Sequence, residues 1–322
     1  MLLFYMRKPV TVSTPIPSVR LLQIDAGSAG QRLDNFLVGH CKGVPKSHLY
    51  KAIRSGEVRV NKGRTSADYR LLHGDIVRVP PLRLPTPGEH LPVPPAAFPV
   101  VYEDDALLVV DKPAGTAVHG GSGVSFGVIE QLRASRPDAP FLELAHRLDR
   151  GTSGLLMIAK KRSALVALQD MLRESRGRKR YLALVAGDWV NDRQHLRQPL
   201  LKWLTASGER RVKVDALGKV AHTIVSLKKR FGRYTLLEAE LRTGRTHQIR
   251  VHLASSGYPI VGDDKYGPDE LRVRFAKLGF NRMFLHAAHL EIPHPLTGEP
   301  LDLHAALPAA CEKLLAYMEK GA

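Results

Sequence analysis

The chain has 322 residues, 44% hydrophobic and 25% charged, with a formal net charge of +17 and a pI of about 10.0. That length accommodates two domains with a sizeable core, and so basic a protein suits a polyanionic partner, whether RNA, DNA or an acidic membrane face. No apolar run approaches the roughly 20 residues that cross a bilayer, and two distant cysteines, Cys41 and Cys311, argue against a disulfide framework or a cysteine zinc site and fit a reducing, cytoplasmic setting.

Residues 1–27 read as a flexible tail. Three prolines fall in the first 18 residues, and Met1-Leu2-Leu3-Phe4-Tyr5-Met6 is too short an apolar run, with its charges on the wrong side, for a signal peptide. A compact module is predicted over 28–80. Leu33, Phe36 and Leu37 have helical spacing. A second helix is expected from Ser47 as N-cap, with Leu49, Ala52 and Ile53 on one face and a stop at Gly56. The stretches 57–61 and 75–79 alternate like strands, with a turn at Lys62-Gly63. From 30 to 80 there are ten Lys/Arg and four acids. Any single lysine here is best read as solvated surface, but so large an excess points to phosphate contact. Eight prolines between 80 and 99 then mark a semi-rigid linker over 81–99.

The large unit, 100–318, is predicted to begin with the strand Ala106–Val110, broken into a loop by Asp111-Lys112-Pro113-Ala114-Gly115. Strand-like runs recur at 155–159, 181–186, 212–214, 222–227, 234–241 and 284–292, and helical spacing appears at 125–134, 163–174 and 247–256. Many strands with scattered helices predict an α+β fold around a mixed, mainly antiparallel β-sheet with flanking helices, not a doubly wound one. Within this unit His146-Arg147-Leu148-Asp149-Arg150-Gly151-Thr152-Ser153-Gly154 sets a carboxylate between two arginines, just ahead of an apolar run. Fixed guanidinium groups nearby hold such a carboxylate ionised. On local features it is either an ion-pair anchor for the turn or a nucleophile or base.

The small unit resembles the S4 RNA-binding domain through residues 31–37, Val44-Pro45-Lys46-Ser47 and residues 55–63. Four segments of the large unit, 111–123, 146–161, 179–185 and 241–253 (continued by 257–260 and 263–267), together resemble the C/A/D branch of the pseudouridine synthases, whose members modify large-subunit ribosomal RNA. An S4-like unit combined with Gly120-Gly121-Ser122-Gly123 and residues 125–130 points to the C type of that branch, which acts on uridines of 23S ribosomal RNA. The resemblance implies an S4-like RNA-binding domain joined by the Pro-rich linker to a pseudouridine synthase catalytic domain. It implies 23S ribosomal RNA as partner, a monomer without membrane association, and an isomerisation that needs neither cofactor nor metal. It makes Asp149 the catalytic aspartate, Arg250 the arginine that pairs with it (Arg245 being the second choice), and Tyr181 the tyrosine that packs against the uracil. It makes Arg147 the arginine that enters the RNA stack where the uridine leaves. His146, Arg245 and Lys179 in the large unit, and Arg32, Lys46, Arg54 and Arg59 in the small one, are the further expected RNA contacts. Gly151 stands where the family usually has Asp, a change expected to spare activity.

Other signals carry less. The glycines of 121–127 are spaced one residue too far for a dinucleotide loop. The pairs His286/His289 and His247/His252 lack partner ligands at metal spacing, and Ser153 sits in no nucleophile elbow. Two rival functions are a ribosome-assembly RNA-binding protein that has lost activity, which would have no chemical need for Asp149, Tyr181 and Arg250 together, and a glycoside hydrolase, which requires a second carboxylate that these motifs do not offer.

Overall fold

The computed structural model describes residues 18–41, 44, 46–82, 93–120, 126–205 and 209–320. Expectations for the first 17 residues, for Lys42, Pro45 and the Ser47 side chain, for most of the proline stretch and for the glycine run at 121–125 lie outside them. The chain forms two compact units, Met1–Leu91 and Pro92–Ala322.

The small unit runs β1 (Arg20–Gln23), α1 (Leu33–His40), α2 (Lys46–Arg54), β2 (Arg59–Val60) and β3 (Ile76–Val79), with an antiparallel sheet in the order β1-β3-β2. The helical stripes foreseen from spacing, Leu33/Phe36/Leu37 and Leu49/Ala52/Ile53, close over Val58, Val60, Val77 and Val79 to make its core. The tail expected over 1–27 is corrected from Arg20 onward. The segment Arg20–Gln23 pairs with β3, and Ile24 behind it is buried. Four residues with no clean alternation announce nothing by themselves; the free edge of β3 turns them into a strand.

The large unit is built on one ten-stranded sheet. Its strands are β4 (Val100–Glu103), β5 (Leu107–Lys112), β6 (Glu143–Leu144), β7 (Ser153–Ala159), β8 (Arg178–Ala186), β9 (Arg193–Leu196), β12 (Thr223–Phe231), β13 (Tyr234–Leu241), β14 (Leu285–Pro293) and β15 (Pro300–His304). The main path is β4-β5-β7-β14-β8-β13-β12-β9. Every pairing is antiparallel except β7 with β14, so the sheet is mixed and mainly antiparallel, as predicted. A separate hairpin joins β10 (Leu200–Leu204) to β11 (Arg210–Val214). The helices are α3 (Val128–Ser135), α4 (Arg162–Arg173), α5 (Gln248–Ser255), α6 (Asp269–Lys277) and α7 (Ala309–Glu319).

The central strands are continuous apolar runs because both their faces are covered. Leu108, Val110, Leu156 and Ile158 join the main core with Tyr181, Ala183 and Val185, while Leu107, Val109, Leu155 and Met157 pack under Ala164, Leu165, Leu168 and Met171 of α4. Strand β5 runs two residues past its predicted end. Lys112, expected in a loop, is fully buried, and Pro113, which has no N–H for the ladder, ends the strand instead. Phe98, assigned to the linker, is buried in the main core. The helices α6 and α7 escaped the spacing search, although Pro268 and Pro308 stand directly ahead of them as helix-start signals.

The one parallel contact matters most for the site, because β7 carries the loop with Asp149 at its head. At Gly154 (φ +107°) a side chain would place its Cβ 2.3 Å from the Ala287 carbonyl oxygen of β14. Only glycine permits both that backbone and that approach. Gly154→Ala is therefore expected to cost about 2–5 kcal/mol of stability through strain and overpacking, measured as a drop in the urea midpoint at unchanged slope.

Candidate active site

A cavity of about 1570 Å³ opens in the large unit, beyond the roughly 300–1,000 Å³ of a pocket for one small ligand. Residues 111–115 at the end of β5, residues 147–151 between β6 and β7, and Thr246, His247, Arg250, Asp264 and Lys265 around α5 all line it. Asp149 lies where they meet. Its Oδ2 is 3.4 Å from Arg250 Nη1 and its Oδ1 is 3.8 Å from His247 Nε2, and the side chain keeps 25% of its exposure. His247, the N-cap just ahead of α5, and Arg250 in its first turn both turn to the aspartate.

Arg250 is buried and makes its short bonds elsewhere. Nε donates to Asp263 Oδ2 at 2.8 Å, and Nη2 donates to Asp263 Oδ1 at 2.6 Å and to Asp264 Oδ1 at 3.0 Å. The Tyr266 ring lies 5.1 Å from its guanidinium carbon. Burial alone would lower the arginine's pKa, but the bonds to Asp263 reverse that and raise it. Burial likewise works to raise Asp263, and the same bonds hold it below the usual carboxylate range. Asp149 thus receives the longest of Arg250's contacts, and its negative charge stays open to the cavity.

Comparison with known proteins agrees with this geometry. A model of the RNA pseudouridylate synthase family matches residues 106–255, and a model of the S4 domain matches residues 31–77. A protein of Yersinia pestis named ribosomal large subunit pseudouridine synthase C is 50% identical over 97% of this chain and 99% of its own. The chain belongs to the pseudouridine synthase family. The protein of the same name in Escherichia coli (strain K12) is also 50% identical, over 94% of this chain and 98% of its own. Among solved structures, human RNA pseudouridylate synthase domain containing 4 superposes with a TM-score of 0.58 at 25% identity, covering 69% of this chain and 93% of that one.

Among the expected residues, Asp149, Arg147 and Arg250 line this synthase cavity together. Arg147 is exposed, its Nη1 3.4 Å from His119 Nε2. Tyr181 does not line the cavity. It is buried in the main core with Leu148, and burial and then the charge of Asp149 raise its pKa. Lys179 shares the Tyr181 face of β8 by strand alternation; it is half-buried, and burial brings its pKa down to about 8. Arg245 points elsewhere, its Nε donating to the Val220 carbonyl at 3.0 Å. His146, expected to touch RNA, is also absent from the cavity wall. Its Nε2 accepts the Met157 N–H at 3.1 Å, so the ring ties the Asp149 loop to β7. Gly151 lines the cavity beside Met283, and a Cβ there would come within 3.4 Å of the methionine's Cε.

In the small unit Arg32 is held by Asp34 at 2.8 and 3.1 Å, and Arg59 donates to the Gly56 and Lys62 carbonyls. Lys46 and Arg54 are exposed, with no acid in ion-pair reach among the described residues.

Sequence reasoning gave no role to Lys112, His247, Asp263 or Tyr266, although all four fall inside the family motifs. Lys112 donates to the carbonyls of Pro113 and Thr116 (both 2.9 Å) and Arg150 (3.4 Å), pinning the two loops that flank Asp149. Burial, then the Arg282 charge, brings its pKa down to about 7 against the opposing pull of Asp149 and Asp111. Away from the cavity, His289, Asp302 and His304 gather three ligand-type side chains. Arg180 donates to His289 Nδ1 at 2.8 Å, which leaves the proton on Nε2, where it faces Asp302 Oδ1 at 2.5 Å. The lone pair that a metal would need is thereby occupied. No described helix is long and apolar enough to cross a membrane.

Burial, followed by the Lys179 charge, pushes His146 down to about 3, and burial also lowers His247, His252 and His286. A base whose folded pKa lies below its unfolded one gives full stability above the unfolded value, about 6.5 for histidine, and loses it as the unfolded chain takes up protons. Stability is therefore expected to fall from about pH 6.5 downward, above the carboxylate range, with each such histidine adding at most about 1.4 kcal/mol per pH unit. Urea midpoints measured from pH 7.5 to 5 check this, and His146→Gln should give a shallower acid slope than the parent.

Proposed function

We propose that the protein isomerises uridines of 23S ribosomal RNA to pseudouridine in the cytoplasm, the unit over 100–318 performing the reaction and the S4-like unit over 28–80 gripping the RNA. The observation that carries this is Asp149, set where three chain segments meet, open to a cavity large enough for a nucleotide and its neighbours, and opposed by a cation already balanced by Asp263. The reaction breaks the N-glycosidic bond, turns the uracil and joins its C5 to the same ribose carbon. C5 loses a proton and N1 gains one, so the formula is unchanged and neither cofactor nor metal is required.

In this reading Asp149 is the carboxylate that meets the extruded nucleoside, and Arg250 faces its Oδ2. Tyr181, buried beneath the cavity with Leu148, supports the Asp149 loop from the core side. Arg147 at the exposed rim fills the gap that the base leaves in the RNA. Flipping a base costs a few kcal/mol, and the stacking of Arg147 in the vacated gap offsets part of it. The two buried, unpaired cysteines accord with a reducing compartment.

Asp149→Asn keeps the size of the side chain and removes its charge. It is expected to cut pseudouridine formation on a ribosomal RNA fragment by at least about a thousandfold, some 4 kcal/mol of barrier, with RNA affinity within a few-fold of the parent. Turnover near the parental rate would remove Asp149 from the reaction. For the grip, Lys46→Ala and Arg54→Ala together should weaken binding and lower the slope of log affinity against log salt by about 1 for each phosphate no longer neutralised. An unchanged slope would take both residues off the RNA.

A further inference from the structure

His247 is the one non-glycine residue of the large unit, apart from Ser175, that the described backbone holds in the left-handed region, at φ +53° and ψ +22°. Such a conformation in a residue with a ring is uncommon and costs of order 1–3 kcal/mol, which the surroundings must impose. They do so through Tyr266. The Tyr266 hydroxyl accepts the Val212 N–H at 3.0 Å and lies 2.7 Å from His247 Nδ1, with the two rings edge to face at 5.5 Å. The phenol has one proton. Donating it to Nδ1 satisfies the hydroxyl and the ring nitrogen at once, whereas the opposite tautomer would leave the phenol proton with no acceptor among the described residues. The imidazole proton therefore sits on Nε2, which faces Asp149 Oδ1 at 3.8 Å.

We propose that His247 is a positioning residue for the isomerisation. Its Nε2–H, locked in that tautomer by Tyr266, takes Asp149 Oδ1 while Arg250 takes Oδ2, and the two together fix the plane of the reacting carboxylate. This rests on Asp149 being the carboxylate that reacts. Burial, together with the charges of Arg250 and Lys265 and against those of Asp149 and Asp263, lowers the pKa of His247, so it is a neutral donor at physiological pH. The chemistry explains why a neutral donor is wanted. A second cation would stabilise the carboxylate's charge further and blunt its reactivity, whereas a neutral N–H orients it and leaves the charge available. The present 3.8 Å is too long for a hydrogen bond. Catalytic contacts are commonly long in the free protein and tighten when substrate fills the site.

The test uses the full chain and a ribosomal RNA fragment, with single-turnover rates and KM measured for three variants beside Asp149→Asn. His247→Asn suits the left-handed backbone but is too short to reach Asp149. His247→Gln keeps an N–H at about the same reach. Tyr266→Phe removes the hydroxyl and keeps the ring under Arg250. His247→Asn should lower the saturated rate about 10–100-fold, the scale of a misplaced reacting group, with KM changed less than about twofold. His247→Gln should recover most of that loss. Tyr266→Phe should lose rate too, and combining it with His247→Asn should cost no more than His247→Asn alone, because Tyr266 acts through His247. A parental rate in His247→Asn, an equal loss in Asn and Gln variants that melt like the parent, or additive losses in the double variant would each overturn the proposal. If instead Asp149→Asn itself turns over normally, the assignment of Asp149 falls, and this inference falls with it.

Discussion

The buried ion pair between Arg250 and Asp263 is the constraint on which the active site depends. Two bonds of 2.6 and 2.8 Å to Asp263, with a third of 3.0 Å from Nη2 to Asp264, hold the guanidinium so that Nη1 faces Asp149. Removing one partner of such a pair strands a charge in the interior, at a cost of about 3–5 kcal/mol. The pair also sets the electrostatics. An arginine without Asp263 would bring its whole charge to bear on Asp149, whereas one already balanced is a partner that steadies the aspartate without quenching it.

Everything else in the large unit serves to bring three distant stretches of chain to that point. The sheet supplies the rigidity, since elements buried on both faces hold a site more tightly than loops do. The parallel approach of β14 to β7 at Gly154 sets the depth of the Asp149 loop. Lys112 ties that loop to the end of β5 through carbonyl oxygens on both sides, and His146 anchors its other end to the Met157 amide. The loop is thus held by backbone contacts at each end, with the Asp149 side chain left free of short bonds.

Much of the architecture was legible in the chain. The alternation in β13 and the apolar runs of β5, β7 and β14 are local properties of a strand, and the stripes Leu33/Phe36/Leu37 and Leu49/Ala52/Ile53 are local properties of a helix. The first strand, Arg20–Gln23, and the hairpin strand β10 were not legible, because their residues become strands only when an edge is offered to them. Lys112 misled for a related reason. A lysine after an apolar run reads as the start of a loop, and its burial depends on the Pro113 and Thr116 carbonyls that the folded loop turns inward, with a third, that of Arg150, 38 residues away.

The motif around Asp149 declared by itself a carboxylate in a turn ahead of an apolar strand, and the spacing over 247–256 declared a helix. These follow from covalent geometry and helical pitch, which act over a few residues. Which cation faces the aspartate, how Asp263 shares it, that Tyr181 lies buried beneath and not in the cavity wall, and that Arg245 and His146 turn to backbone partners were decided only by the packed sheet. Distances between side chains more than a turn apart are set by the whole core closing at once, and no stretch of sequence carries that information alone.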